Sequence, residues 1–213
     1  MRSLIYVPMV HSEADLGRMA GEIRRQYIEA LGADAWSRRT GAVDAMWAGI
    51  RDKLLLLPIR WPTVRLYQDG LPVCGREVDI VRDVAAAGSF NHRLLLELMD
   101  RGAVLMGTES PPLLLREYRR VQDLVQAARF GATSGVAALE REGQALLRER
   151  DAFMAQRILG TLEQGETGIV FLGLLHRIDE LLGDGLEVRH VIHNLPFGAD
   201  PWRRLKEAGG HGG

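Results

Sequence analysis

Two histidines, a glutamate and an arginine stand where apolar runs of the sequence give out or turn charged, and these are the residue types on which hydrolytic and metal-binding sites draw. His11 closes the run LIYVPMV, Glu109 follows AVLMGT, and His176 closes IVFLGLL. If the three runs are neighbouring strands of one parallel sheet, the side chains face one crevice, because ligands bind beyond the carboxyl ends of such strands. Two imidazoles and a carboxylate in one crevice suit a divalent metal ion with an open position, and equally suit base-assisted attack by water. Taken singly, a histidine at a strand end is more often an ordinary loop residue.

Arg150 lies in the run RERDAFM, ahead of the third apolar stretch. Flanked by Phe153 and Met154, it reads as turned inward, where it would pair a carboxylate such as Glu109 or steady an oxyanion. As one charge among four in RERD, it reads equally as a surface arginine. Asp69 precedes Gly70, and an Asp-Gly pair is a turn former in its own right; Asp69 is therefore a secondary candidate for the acidic role. His92 reads as exposed or as an N-terminal helix residue, His190 and His193 belong to the last strand, and His211 lies in a tail. Cys74 follows Pro-Val in a turn with no base near it in sequence and reads as inert. No Gly-Lys-Ser/Thr loop or GxGxxG follows a strand, and no GxSxG elbow is present. Phosphate-loop, dinucleotide and ordinary serine hydrolase chemistry are thereby disfavoured.

The elements that must position these residues follow from period and punctuation. Strands are expected over 4–10, 63–68, 103–108, 169–175 and 186–192, the last as an edge. Helices are expected over 13–31, 34–53, 76–87, 91–101, 112–128, 136–162 and 177–182. Ser12 with Asp15 three positions on has the form of a capping box. Strands parted by helices predict an α/β fold: a mainly parallel sheet of about five strands, helices on both faces, three layers. With 213 residues, 46% hydrophobic and 26% charged, the chain suits one α/β domain over 1–196 and a C-terminal tail over 197–213. The net charge is −1 with 27 scattered basic residues, which gives no footprint for nucleic acid. One cysteine excludes an intrachain disulfide, and no apolar run is long enough to span a bilayer. A cytoplasmic protein that binds no membrane is expected. Trp47, Trp61 and Trp202 are candidates for the core or for a homodimer contact.

The block Arg150-Asp151-x-Phe153-Met154-Ala155, followed by a helix and an apolar strand ending Gly173-x-x-His176, resembles the closing motif of a known superfamily. It joins erythromycin esterases, TraB proteins, Tiki metalloproteases and ChaN-like haem-binding lipoproteins. Pro8-Met9-Val10-His11 occupies the place of that superfamily's first Gly-x-x-His, with Pro8 for the glycine. Residues 91–109 are similar to the helix and strand that in erythromycin esterases deliver an acidic residue to the site. The resemblance implies His11 as base or metal ligand, Glu109 as its acidic partner, Arg150 as an anchor for substrate or carboxylate, and His176 as the second histidine. It implies a small hydrolase acting on an ester or amide bond of a small molecule or peptide. A divalent metal ion held by His11, Glu109 and His176 would assist it. The alternative on the same fold is a non-catalytic protein that binds a metal, haem or small ligand. The chain departs from the pattern at Pro8, in lacking large capping insertions, and in offering Asp69 as a rival to Glu109.

Overall fold

The computed structural model describes residues 2–129, 136–193 and 195. Five parallel strands form one sheet: β1 (Ser3–Met9), β2 (Val64–Gln68), β3 (Val104–Met106), β4 (Thr167–Gly173) and β5 (Glu187–His190), in the order β3-β2-β4-β1-β5. Among the described residues six α-helices accompany it: α1 (Ala20–Leu31), α2 (Ala33–Leu55), α3 (Glu77–Ala86), α4 (Phe90–Asp100), α5 (Pro111–Arg129) and α6 (Val136–Thr161). The central strands β1 and β4 are apolar on both faces, as strands covered on both sides must be. Ile5, Val7, Met9, Val64, Leu66, Ile169 and Phe171 meet α2 and α4 residues such as Trp47, Ile50 and Leu95. Leu4, Tyr6, Tyr67, Val170 and Leu172 meet Met154, Ala155, Ile158 and Leu162. The expected three-layer α/β architecture is the one observed.

The order places the crevice. The chain leaves β2 toward β3 on one side and leaves β4 toward β5 on the other, so the neighbours β2 and β4 diverge at their carboxyl ends. Such a switch point is where open parallel sheets hold ligands. The β1–β4 register, Ser3 against Thr167 through Met9 against Gly173, brings the two strand ends level. Asp69 N donates to Phe171 O at 2.9 Å, which ties the exit of β2 to the same edge.

Several boundaries differ from expectation. The expected strand over 169–175 ends at Gly173; Leu174 and Leu175 are exposed and His176 lies in the turn beyond, its N–H 3.1 Å from Gly173 O. The expected helix 13–31 is broken: residues Glu13–Met19 form 3-10 turns kinked at Gly17 (φ 54°, ψ −132°), a conformation only glycine adopts readily. The segment Ile178–Leu181 is likewise 3-10. β3 is cut short because Thr108 Oγ1 accepts from Gln68 N, replacing the next rung of the ladder. Trp47 is core, Trp61 is half-buried against it, and Trp202 and the tail 197–213 lie outside the described residues, as does the expected helix break at 131–135. Among the described residues no helix is long and apolar enough to cross a membrane.

Candidate functional site

Four of the polar side chains at the carboxyl edge of the sheet are delivered by four different strand exits. His11 follows β1 by two residues, Asp69 follows β2 directly, Glu109 follows β3 by three, and His176 follows β4 by three. Arg150 and Asp151 come from the middle of α6, and their i+4 neighbours Met154 and Ala155 are buried against the sheet. Side chains one turn apart share a helix face, so both charges point inward, one turn above the core. Arg148 and Glu149 are exposed. Of the two readings of the run RERD, the inward one describes Arg150.

The hub is Asp69. Its Oδ2 receives His11 Nε2 at 3.2 Å and Gly173 N at 3.1 Å, and His176 Nε2 lies 3.3 Å from it. Its Oδ1 receives Arg150 Nη2 at 2.8 Å. The same guanidinium holds Glu109, Nη2 at 2.5 Å and Nε at 3.1 Å, as a planar fork meets a carboxylate. Glu109 also accepts from Gly70 N at 3.3 Å, and Gly70 has φ 78°. The Asp-Gly pair therefore does make a turn, and the turn presents the carboxylate at the centre of the cluster. The two histidines converge on Asp69; Glu109 sits behind Arg150, and Asp69, the secondary candidate, stands next to His11 where the resemblance implies Glu109.

His176 is held at both nitrogens: Nδ1 lies 2.5 Å from Asp151 Oδ1, and Asp151 Oδ2 accepts from Arg177 N at 3.1 Å. Tyr6 Oη donates to His176 O at 3.0 Å, fixing the turn from below. An imidazole with a carboxylate at each nitrogen carries two protons. Burial opposes that charge, but Asp151 and Asp69 outweigh it and raise the pKa to about 9. For His11, burial again opposes the charge and Asp69 again prevails, moving it above its ordinary value. Asp69 is held well below the usual carboxylate range: burial works against its charge, and His11 and His176 outweigh the burial. Burial pushes Glu109 up, against the pull of Arg150, and Arg150 is raised, its partners Glu109 and Asp69 overcoming desolvation.

Atoms of Asp69, Glu109 and His176 lie within 4.8 Å of one another, a spacing from which a cation could be held. The guanidinium of Arg150 already bonds both carboxylates of that set, and His176 turns a second nitrogen to Asp151. A divalent ion beside a buried guanidinium and an imidazolium would add like charge. The set does not fit a resident metal while Arg150 is in place. The set His11, Glu109 and His176 fits no better, since Glu109 is committed to Arg150 and both imidazoles to Asp69.

Access is uneven. Asp69, Glu109, Arg150, Asp151 and His176 are buried, whereas the His11 side chain is 36% exposed. His11 lines a cavity of about 640 Å³ between residues 11–17, α2 and the Ala87–Gly88 turn. Among the outlying candidates, His190 is exposed beside the Tyr6 ring and Cys74 is exposed. His193 packs on Gly49, and His92 is buried at the start of α4. Asp151 and Gly173 are partners in the cluster that the sequence does not single out. The i+4 spacing of Asp151 to Ala155 was the signal for the first; nothing local signals the second, because its role depends on Asp69 arriving from β2. Comparison of the chain with family profiles, curated proteins and solved structures finds no match. Fold and geometry define its class: a parallel α/β protein with an imidazole–carboxylate cluster at the carboxyl edge of the sheet.

Proposed function

We propose that this protein is a small hydrolase of ester or amide bonds in which His11, oriented by Asp69, takes a proton from water. The observation that carries this reading is the asymmetry of access: His11 alone among the cluster lines the cavity with a partly exposed side chain, its Nε2 on Asp69. Among the described residues its Nδ1 has no hydrogen-bond partner. That is the arrangement of a base held by a carboxylate. In the proposed reaction a water loses its proton to His11 Nδ1 as its oxygen attacks the scissile carbonyl. The imidazolium, stabilised by Asp69, returns the proton to the leaving group. His176 and Arg150 act as positioning residues, holding Asp69 ionised and aimed at His11. The substrate is a small molecule or a peptide end that fits the cavity, whose size is in the range of small-ligand sites. On this reading the chain is a minimal relative of the erythromycin esterase and TraB-like superfamily, working in the cytoplasm, where exposed Cys74 stays reduced.

A panel of esters and amides assayed with the wild type, His11→Ala and Asp69→Asn tests it. Both substitutions should abolish whatever hydrolysis the wild type shows, and undiminished turnover in both would sink the reading. Because His11 titrates above its ordinary value, the neutral base is scarcer at pH 7 than for a free imidazole. Turnover should therefore climb into the alkaline range, and any activity left in Asp69→Asn should reach its plateau at lower pH. The second reading is a non-catalytic small-ligand-binding protein, favoured by the near-complete burial of Asp69, Glu109 and His176. A small molecule retained stoichiometrically by the purified protein, with no turnover on the panel, would select it.

A further inference from the structure

Outside the cluster at Asp69, a second set of buried polar groups joins the segment after β1 to the start of α4. Asp15 Oδ2 accepts from Ser12 N at 2.7 Å and from Ser12 Oγ at 2.8 Å. Asp15 Oδ1 accepts from Ser89 Oγ at 2.5 Å and lies 3.2 Å from His92 Nδ1. Ser89 in turn caps α4, accepting from His92 N at 3.2 Å, and its Oγ lies 2.8 Å from His92 Nδ1. Ser89 is fully buried, and the side chains of Asp15 and His92 nearly so. Burial works against the charge of Asp15, but His92, Ser89 and Ser12 outweigh it and hold the carboxyl at about 2.

A helix cap needs only Ser89, and a capping box only Ser12 and Asp15. The bond between the two caps, 74 positions apart in sequence, is more than either requires. Its placement gives it a use. One lip of the cavity beside His11 is formed by residues 11–17 and the other by Ala87 and Gly88, so the Asp15–Ser89 bond ties the two lips together. The first lip is not a continuous helix but 3-10 turns broken at Gly17, so few backbone hydrogen bonds of its own hold it. Upstream, Trp47 Nε1 donates to Val10 O at 3.3 Å, so His11 is held between that bond and the one at Asp15.

We propose that Asp15, Ser89 and His92 form a clamp that sets the width of the cavity and the stand of His11 within it, and so selects the substrates that reach His11. As a statement about substrates this rests on the hydrolase reading; as a statement about the lip it does not. The groups facing His11 are Asp69 from β2, His176 from beyond β4 and Asp15 from its own segment. The clamp acts on where the ring stands among them.

Amide hydrogen exchange and ester kinetics on Ser89→Ala, His92→Ala and His92→Asn test the clamp. Exchange at residues 12–17 should rise about tenfold or more in both alanine variants while the amides of β1 and β4 stay protected. With a small acetyl ester, kcat should fall about tenfold or more, since small misplacements of a reacting group are costly. KM for a bulky naphthyl ester should fall relative to the acetyl ester as the lips part. His92→Asn, whose amide stands where Nδ1 stood, should restore both measures. Unchanged exchange at 12–17 in both alanine variants overturns the clamp, and so does failure of His92→Asn to differ from His92→Ala. Faster exchange in a protein that hydrolyses nothing on the panel supports the clamp and removes the hydrolase reading. Should both alanine variants lose sheet protection, the isosteric Asp15→Asn decides by the same exchange measurement.

Discussion

Two arginine–glutamate pairs in this molecule have nearly the same geometry and opposite surroundings. Arg51 of α2 forks onto Glu97 of α4 at 2.7 and 2.8 Å, and Arg150 of α6 forks onto Glu109 at 3.1 and 2.5 Å. The first pair is 40% and 31% exposed, the second 10% and 0%. Water can replace either partner of the first. For the second, the desolvation of both ions must be met by the protein alone, and Arg150 meets it by bonding Asp69 as well. Arg150 thereby joins Glu109 to the carboxylate that the two histidines share. Bond lengths do not tell a site from a surface contact here; burial and the third partner do.

The largest way to test that contrast is to delete the buried cation. Arg150→Ala leaves Asp69 and Glu109 as neighbouring buried carboxylates without their counter-charge, and should cost about 3–5 kcal/mol in urea denaturation at neutral pH. Adding Glu109→Gln should recover part of the loss, because it removes one of the stranded charges. Failure of the second substitution to recover anything would mean that Glu109 and Arg150 are not coupled as drawn.

Next in size is the pH response of His176. Its folded pKa of about 9 lies above the ordinary 6.5, so the folded state binds the proton more tightly than the unfolded chain. Its contribution is fully present below pH about 6.5 and is lost as pH rises through about 9, on the order of 3 kcal/mol. His176→Gln should flatten that alkaline fall; an equally steep fall in the variant would assign it to other groups.

Gly173→Ala comes third. A Cβ there would stand 3.0 Å from Asp69 Oδ2 and 3.6 Å from His11 Nε2, so the carboxylate must shift. The cost should be about 1–3 kcal/mol, typical of overpacking. Any turnover should fall with it, since the shift moves the carboxylate that orients His11.

The comparison also shows where sequence is legible. The five strands and their helices could be read because each repeats a local period: β4 is a continuous apolar run, and α6 sets Met154, Ile158 and Leu162 on one stripe. Arg150 is legible only as an even choice, since Phe153 and Met154 argue for inward and the run RERD for the surface; its burial decides it. The rank of Asp69 could not, because it depends on strand order: only with β2 beside β4 does a residue in an ordinary Asp-Gly turn meet His176 and Gly173, both more than a hundred positions away. The superfamily resemblance implies Glu109 as the partner of His11, and local sequence cannot contradict it, because Glu109 closes an apolar run just as the histidines do. β3 lies at the sheet edge with two strands between it and β1, and Arg150 bonds the Glu109 carboxylate that follows it. The break at Gly17 was hidden because apolar spacing continues through it, although the chain does not.

The smallest effect belongs to the exposed pair. Arg51→Ala and Glu97→Ala, singly and together, should move the urea midpoint little. What coupling they show should fade in molar salt, because exposed charges are screened at that ionic strength. The same double-mutant cycle on Arg150 and Glu109 should give a coupling that salt barely changes, since ions do not reach a pair this buried. Running both cycles in low and high salt therefore measures burial at each pair without reference to activity. If salt weakened the two couplings alike, Arg150 would be reached by solvent. Its guanidinium would then not be the desolvated charge that keeps a metal from between Asp69 and Glu109.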